Sequence, residues 1–265
     1  MGYTVDSEGR VVDTSEYVEG KKKKGSSYSS TGILSLGRVF LFMFFGLLIT
    51  TGVAVGLGQI FMRVFTAPTS DDWYYLTNAA VVYLIILIAS GLSLIVLSIL
   101  LNVFLYKGKS LWVPSILYVV SMGVLLSALT IFVDWGVLVL AFGITAGTFG
   151  LMALIAFLSK GNLSGLAIAG LGLLIGGLLL AGVNWILYMV TGGAWGWLNI
   201  AISFILLAAM MLITIYDMWR IKQTAENGAM NDNVAMYCAF RLYVDFVYLF
   251  MRVLRIVLYL MSRKN

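Results

Sequence analysis

From residue 33 onward the chain is a succession of seven apolar runs, at about 33–57, 79–106, 111–132, 136–158, 163–190, 197–219 and 234–261. Each is long enough to cross the ~30 Å of bilayer hydrocarbon at 1.5 Å per helical residue. Inside hydrocarbon no water is left to hydrogen-bond the backbone, so only helices and closed barrels are stable there. A barrel needs strands of about ten residues that alternate in polarity. The first run, GILSLGRVFLFMFFGLLITTGVAVGLG (32–58), shows no such alternation. The runs therefore read as helices. Composition excludes the soluble alternative: 61% of residues are hydrophobic and 11% charged, where an ordinary soluble domain carries about 25% charge. The expected fold is an all-α integral membrane protein, a bundle of seven transmembrane helices (32–265) preceded by a polar tail (1–31).

Charge gives the orientation. Lys21 to Lys24 lie in the tail, Lys107 and Lys109 in the second connector, Lys160 in the fourth, and Arg220 and Lys222 in the sixth. The intervening connectors carry Arg63 against Asp71 and Asp72, then Asp134 alone, then no charge. Positive charge collects on the side of the N-terminus, which is therefore expected to be cytoplasmic. Seven crossings put the C-terminus outside, although Arg263 and Lys264 at that end pull the other way. The seventh run is the least apolar. The tetralysine reads as a solvated flank and not as a nucleic-acid or lipid site.

Small residues recur four apart at Gly52 and Gly56, Gly143 and Gly147, Gly161 and Gly165, and Gly172 and Gly176. That spacing lets helix backbones approach closely in lipid, and tight packing is expected along it. Trp73, Tyr74, Tyr75, Trp112, Trp135, Trp195 and Trp197 fall near the ends of runs and read as interfacial anchors. Asn102 and Asn184 read as hydrogen bonds between helices, Arg38 as a cation snorkelling to the interface, and Pro114 as a first-turn proline.

The chemistry available is narrow. There is no histidine and a single cysteine, Cys238. That removes the usual zinc ligand and the usual catalytic base, and leaves no internal disulfide. No nucleotide-binding loop or EF-hand motif appears, and no cofactor or nucleic-acid partner is expected. Proton-linked behaviour must rest on carboxylates. Two stand out: Asp217 in IYDMWRIK (215–222), and Asp245 in RLYVDFVYLFMRVLRI (241–256). Both are equidistant from Asn231, so an antiparallel hairpin turning there sets them at similar depth. On a helical wheel Arg252 lies about 20° and Arg241 about 40° from Asp245, with Arg255 about 80° away. Such a stripe should face protein or water, not lipid. Two readings stay open. One is a structural network pairing Asp217 with Arg220, and Asp245 with Arg241 or Arg252. The other is a carboxylate pair holding one proton between them, because two close carboxylates do not both ionise cheaply.

These stretches resemble the Bax inhibitor 1 family, also called the transmembrane Bax-inhibitor-motif family. IYDMWRIK is similar to the family's tyrosine–aspartate stretch and basic turn. RLYVDFVYLF (241–250) is similar to its final helix, with Asp245 at the family aspartate and Arg255 at a recurrent arginine. ITAGTFGLMALIAFLSKGNLSGL (144–166) is similar to its fourth helix, basic hinge and the start of its fifth. The resemblance implies a bundle with the last helix central, and a pH-sensitive passive calcium leak gated by Asp217 and Asp245. The same two residues are the expected transient Ca²⁺ contacts. The chain departs from bacterial relatives in having no acid in 79–106, where they carry a glutamate. Lys107 and Lys109 stand where they carry an arginine.

Two further readings compete. One is a non-conducting regulator that binds another membrane protein, such as a membrane-anchored protease. The other, an intramembrane aspartyl protease, lacks the Gly-x-Gly-Asp half of such a site, so the chain is not expected to be an enzyme. The bilayer is the expected environment, a bacterial plasma membrane the expected location, and a monomer the expected state.

Overall fold

Helix ends in this chain are set by capping side chains as much as by apolarity. Asp134 accepts from Gly136 N at 2.8 Å and opens the fourth helix. Asn231 accepts from Val234 N at 2.8 Å and opens the last. Each carboxylate or amide oxygen satisfies a donor that has no partner within its helix. Gly108, with φ of 62°, ends the second helix, and Lys109 N returns to Phe104 O at 3.0 Å. A left-handed glycine is the usual stop there.

The computed structural model describes the backbone of residues 3–5, 11–66, 73–191, 196–227 and 230–262, and side chains over 36–63, 80–190, 197–227 and 230–261. A short antiparallel hairpin pairs β1 (Tyr3–Val5) with β2 (Val11–Asp13). Seven helices follow: α1 (Thr14–Thr66), α2 (Trp73–Tyr106), α3 (Trp112–Phe132), α4 (Trp135–Leu158), α5 (Ser164–Thr191), α6 (Gly196–Glu226) and α7 (Asp232–Ser262). The polar tail has no helix break at its end, since α1 begins inside it. Six helices carry a stretch long and apolar enough to cross a bilayer, from Leu36–Arg63 in α1 to Trp197–Glu226 in α6. α7 does not. Asp71, Asp72, Trp195, Arg263 and Lys264 lie outside the described residues, as do the side chains of Lys21 to Lys24 and of Trp73 to Tyr75. Trp112 and Trp135 are the first residues of α3 and α4.

α7 is nevertheless the centre. It packs against α1, α2, α4 and α6, and Ala239, Leu242, Tyr243, Phe246, Val247 and Leu249 are all buried in the main core. α1 packs on α3, and α3 on α2. α5 leans on α6 and leaves Ile168, Leu179 and Met189 facing outward.

The four-residue glycine spacing does not mark the seams. Gly52, Gly56, Gly143, Gly147, Gly161, Gly165, Gly172 and Gly176 all face open space. The close approaches are elsewhere. A methyl on Gly123 of α3 would lie 2.8 Å from Thr50 O of α1, and one on Gly177 of α5 would lie 2.7 Å from Leu206 of α6. Spacing along one helix does not say which face meets a neighbour, and here the repeated glycines face away from the neighbouring helices.

Candidate functional site

α6 outlasts its apolar run. It continues to Glu226, so Arg220 and Lys222 are helical and not part of a connector. Lys222 Nζ donates to Phe157 O at 2.8 Å and Ser159 O at 3.2 Å, closing the C-terminus of α4; a cation there suits the helix dipole. With α6 ending at Glu226 and α7 starting at Asp232, the turn is centred ahead of Asn231. Asn231 instead caps α7. Next to it, Asp232 pairs with Arg38 of α1 at 3.0 Å, so Arg38 has a partner besides the interface.

The two aspartates share one site even so. Asp217 and Asp245 are both buried and line the same cleft. Arg241 Nε donates to Asp217 Oδ2 at 2.7 Å, a short charge-assisted bond between helices. Asp217 Oδ1 and Asp245 Oδ2 are buried without a hydrogen bond inside 3.5 Å. The three groups thus form a triad with one guanidinium for two carboxylates. That differs from both expected ion pairs. Arg220, three residues beyond Asp217, is exposed and makes no ion pair with it among the described residues. Among the described residues, Asp245 has no guanidinium of its own. Asp217 faces α7, and the antiparallel crossing brings Arg241 to it across the seam.

The triad opens on a cleft of about 570 Å³ between α2, α3, α6 and α7. Asp217, Arg241 and Asp245 supply its charge, and Ser98, Tyr118, Tyr237 and Tyr248 supply hydroxyls. α2 contributes no charged group to it. At one end Tyr237 donates to Asn102 Oδ1 at 2.9 Å, the interhelical bond expected of Asn102. The cleft tyrosines were not singled out from sequence; for Tyr118 and Tyr248 the available signal was their place inside a run, away from the interfaces where tyrosine usually sits.

Beyond the triad lies an aromatic layer. Phe246 of α7 packs against Phe142 and Phe149 of α4, with ring centres 5.5 and 5.4 Å apart. A polar contact joins three helices nearby, where Thr50 of α1 meets Tyr243 of α7 at 2.6 Å and Val119 O of α3 at 3.2 Å. Arg252 and Arg255 do not join the triad. They line a separate cavity with residues of α5 and α6. Among the described residues no group of three or more His, Cys, Asp or Glu side chains converges. Two carboxylates supply only part of the six to eight oxygens that hold a resident Ca²⁺.

Comparison with known proteins bears on these groups. The family described as "Inhibitor of apoptosis-promoting Bax1" matches residues 34–264. The inner membrane protein YbhL of Escherichia coli K12 is 30% identical over 197 residues, covering 69% of this chain and 81% of that protein. An uncharacterized protein of Borreliella burgdorferi is 27% identical over 236 residues, 85% of this chain and 93% of its own length.

Proposed function

The chain belongs to the Bax inhibitor family of membrane proteins, and from that premise we propose that it is a pH-sensitive passive leak for cations, Ca²⁺ first among them, gated by Asp217 and Asp245. The observation that carries this reading is the excess of carboxylate over guanidinium in the cleft. With both acids ionised, the triad is net negative in a low-dielectric bundle. With one proton shared, it is neutral. The difference between those states gives protons a lever on the α6–α7 seam without histidine.

In the resting state, Arg241 ties α7 to α6 through Asp217, and the Phe142–Phe149–Phe246 layer closes the route past the cleft. Opening requires α7 to shift so that the rings separate. A cation entering the cleft meets carboxylate and hydroxyl oxygens, which suit a hard ion, but too few to trap it. The basic connectors support a cytoplasmic N-terminus. The inner-membrane relative supports a bacterial plasma membrane.

The test is ion flux through the purified full chain in liposomes over a range of pH. Ca²⁺ flux that varies with pH in the native chain, and loses that variation in Asp245→Asn, is the expected result. Absence of flux at every pH, or an unchanged pH response in both Asp245→Asn and Asp217→Asn, defeats the proposal. One observation favours a non-conducting regulator instead: Arg241 is half-exposed in the cleft and repels cations. On that reading a membrane protein copurifies in fixed proportion and no flux is seen.

A further inference from the structure

The end of the bundle away from the α6–α7 turn holds a second polar cavity, of about 360 Å³, between α5, α6 and α7. Two arginines of α7, Arg252 and Arg255, line it. Among the described residues neither has a carboxylate partner, in contrast to Arg38 and Arg241, which are both paired. Residues three apart are neighbours on a helix surface, so the two guanidinium groups stand side by side and repel. Two unpaired like charges at one cavity are an arrangement that an anion completes.

Other linings fit the same occupant. Asn184 of α5 donates to Asn199 Oδ1 of α6 at 2.8 Å. That bond leaves the Asn199 amide N–H groups unclaimed among the described residues. Trp185 and Tyr188 stand at the cavity and are more than half exposed, at 60% and 52%. Amphipathic rings of this kind sit at the headgroup level of a bilayer. Depth agrees. Asn184 lies seven residues before the end of α5, Arg255 seven before the end of α7, and Asn199 three after the start of α6. At 1.5 Å per residue all three are within about 10 Å of their helix ends, near the boundary of hydrocarbon and headgroup.

We propose that Arg252 and Arg255 bind the phosphate of an anionic glycerophospholipid, whose headgroup sits in the cavity and whose acyl chains run down the apolar face of α5. Paired guanidinium groups match phosphate oxygens in fork geometry. The bound lipid joins α5, which leans on α6 alone among the major seams, to the central helix.

Native mass spectrometry of the full chain, titrated with phosphatidylglycerol and with phosphatidylcholine as the zwitterionic reference, tests this. Phosphatidylglycerol is expected to bind more tightly. R252Q/R255Q is expected to lose roughly tenfold in phosphatidylglycerol affinity, and K107Q/K109Q, which removes the same charge at the opposite end, to lose none. Excess inorganic phosphate is expected not to displace the lipid. Equal affinity for the two lipids, equal loss in both charge variants, or displacement by free phosphate overturns the proposal. Should R252Q/R255Q fail to fold, R252K/R255K keeps the charge but not the fork; a several-fold loss supports the site, and an unchanged affinity overturns it.

Discussion

α5 and α7 invert each other. α5 is apolar along nearly its whole length, yet its long apolar side chains point outward and it packs mainly on α6. α7 is the one described helix of the seven without a stretch apolar enough to cross by composition, yet four helices surround it. In water the more apolar of two helices would be the more buried. In lipid the outer solvent is itself apolar, so apolarity marks contact with the bilayer and no longer separates core from surface. A helix carrying Arg241 and Asp245 has only one inexpensive place to be, inside the bundle, where its charges meet each other and a polar cleft.

This contrast is open to direct attack. The largest effect is expected from truncation at the centre. Leu249 of α7 is fully buried, and Leu249→Ala should cost about 2–5 kcal/mol. Leu179 of α5 is 67% exposed, and Leu179→Ala should stay within about 0.5 kcal/mol. Unfolding by detergent titration in mixed micelles reads both. Equal costs would mean that α5 is buried against something in the membrane. Next comes Leu179→Arg, which puts a charge against lipid near the middle of α5. It should cost about 3 kcal/mol and appear as reduced membrane insertion, whereas Arg241 is tolerated in α7 because Asp217 receives it.

How legible this was from sequence follows from the same contrast. The apolar runs gave the helices because length and apolarity are what the bilayer selects. The charged stripe of α7 pointed to a central helix, because lipid excludes it. Apolarity could not give the true end of α6, since Arg220 and Lys222 remain helical after hydrocarbon ends and reach outward or to α4. It could not choose a partner for Asp217 either. The wheel placed Arg241 beside Asp245, but which helix Arg241 reaches depends on how α6 and α7 cross. The cap at Asn231 has a recognisable signal, an Asn ahead of the first helical residue, but equal spacing from two aspartates points instead to the middle of a turn. The glycine repeat failed for a related reason: a seam needs bulk on the facing helix, and no spacing within one helix reveals it.

The glycines give a smaller but sharper contrast. Gly177→Leu drives a side chain into Leu206 across the α5–α6 seam and should cost about 1–3 kcal/mol. Gly176→Leu, one residue away and facing open space, should be near neutral or slightly stabilising through the helix preference of leucine. If Gly176→Leu is the more harmful, then lipid or a partner packs on that face, and α5 is less solitary than its contacts within the chain suggest.

The smallest expected effect concerns how α7 settles its polar groups. Tyr243 is 1% exposed, and its hydroxyl lies 2.6 Å from Thr50 Oγ1. Thr50 also lies 3.2 Å from Val119 O, a group that only accepts. Thr50 has one proton, so it donates to Val119 and Tyr243 donates to Thr50. The two deletions should then be unequal. Tyr243→Phe removes a donor and leaves Thr50 still bonded to Val119, so little is lost. Thr50→Val keeps the shape but strands a buried phenol proton, which should cost about 1 kcal/mol more. Equal costs would mean that the hydroxyls run in the opposite order or that water reaches them. A wet Tyr243 would extend the polar region of α7 past the triad and narrow the difference between the central helix and a solvated path.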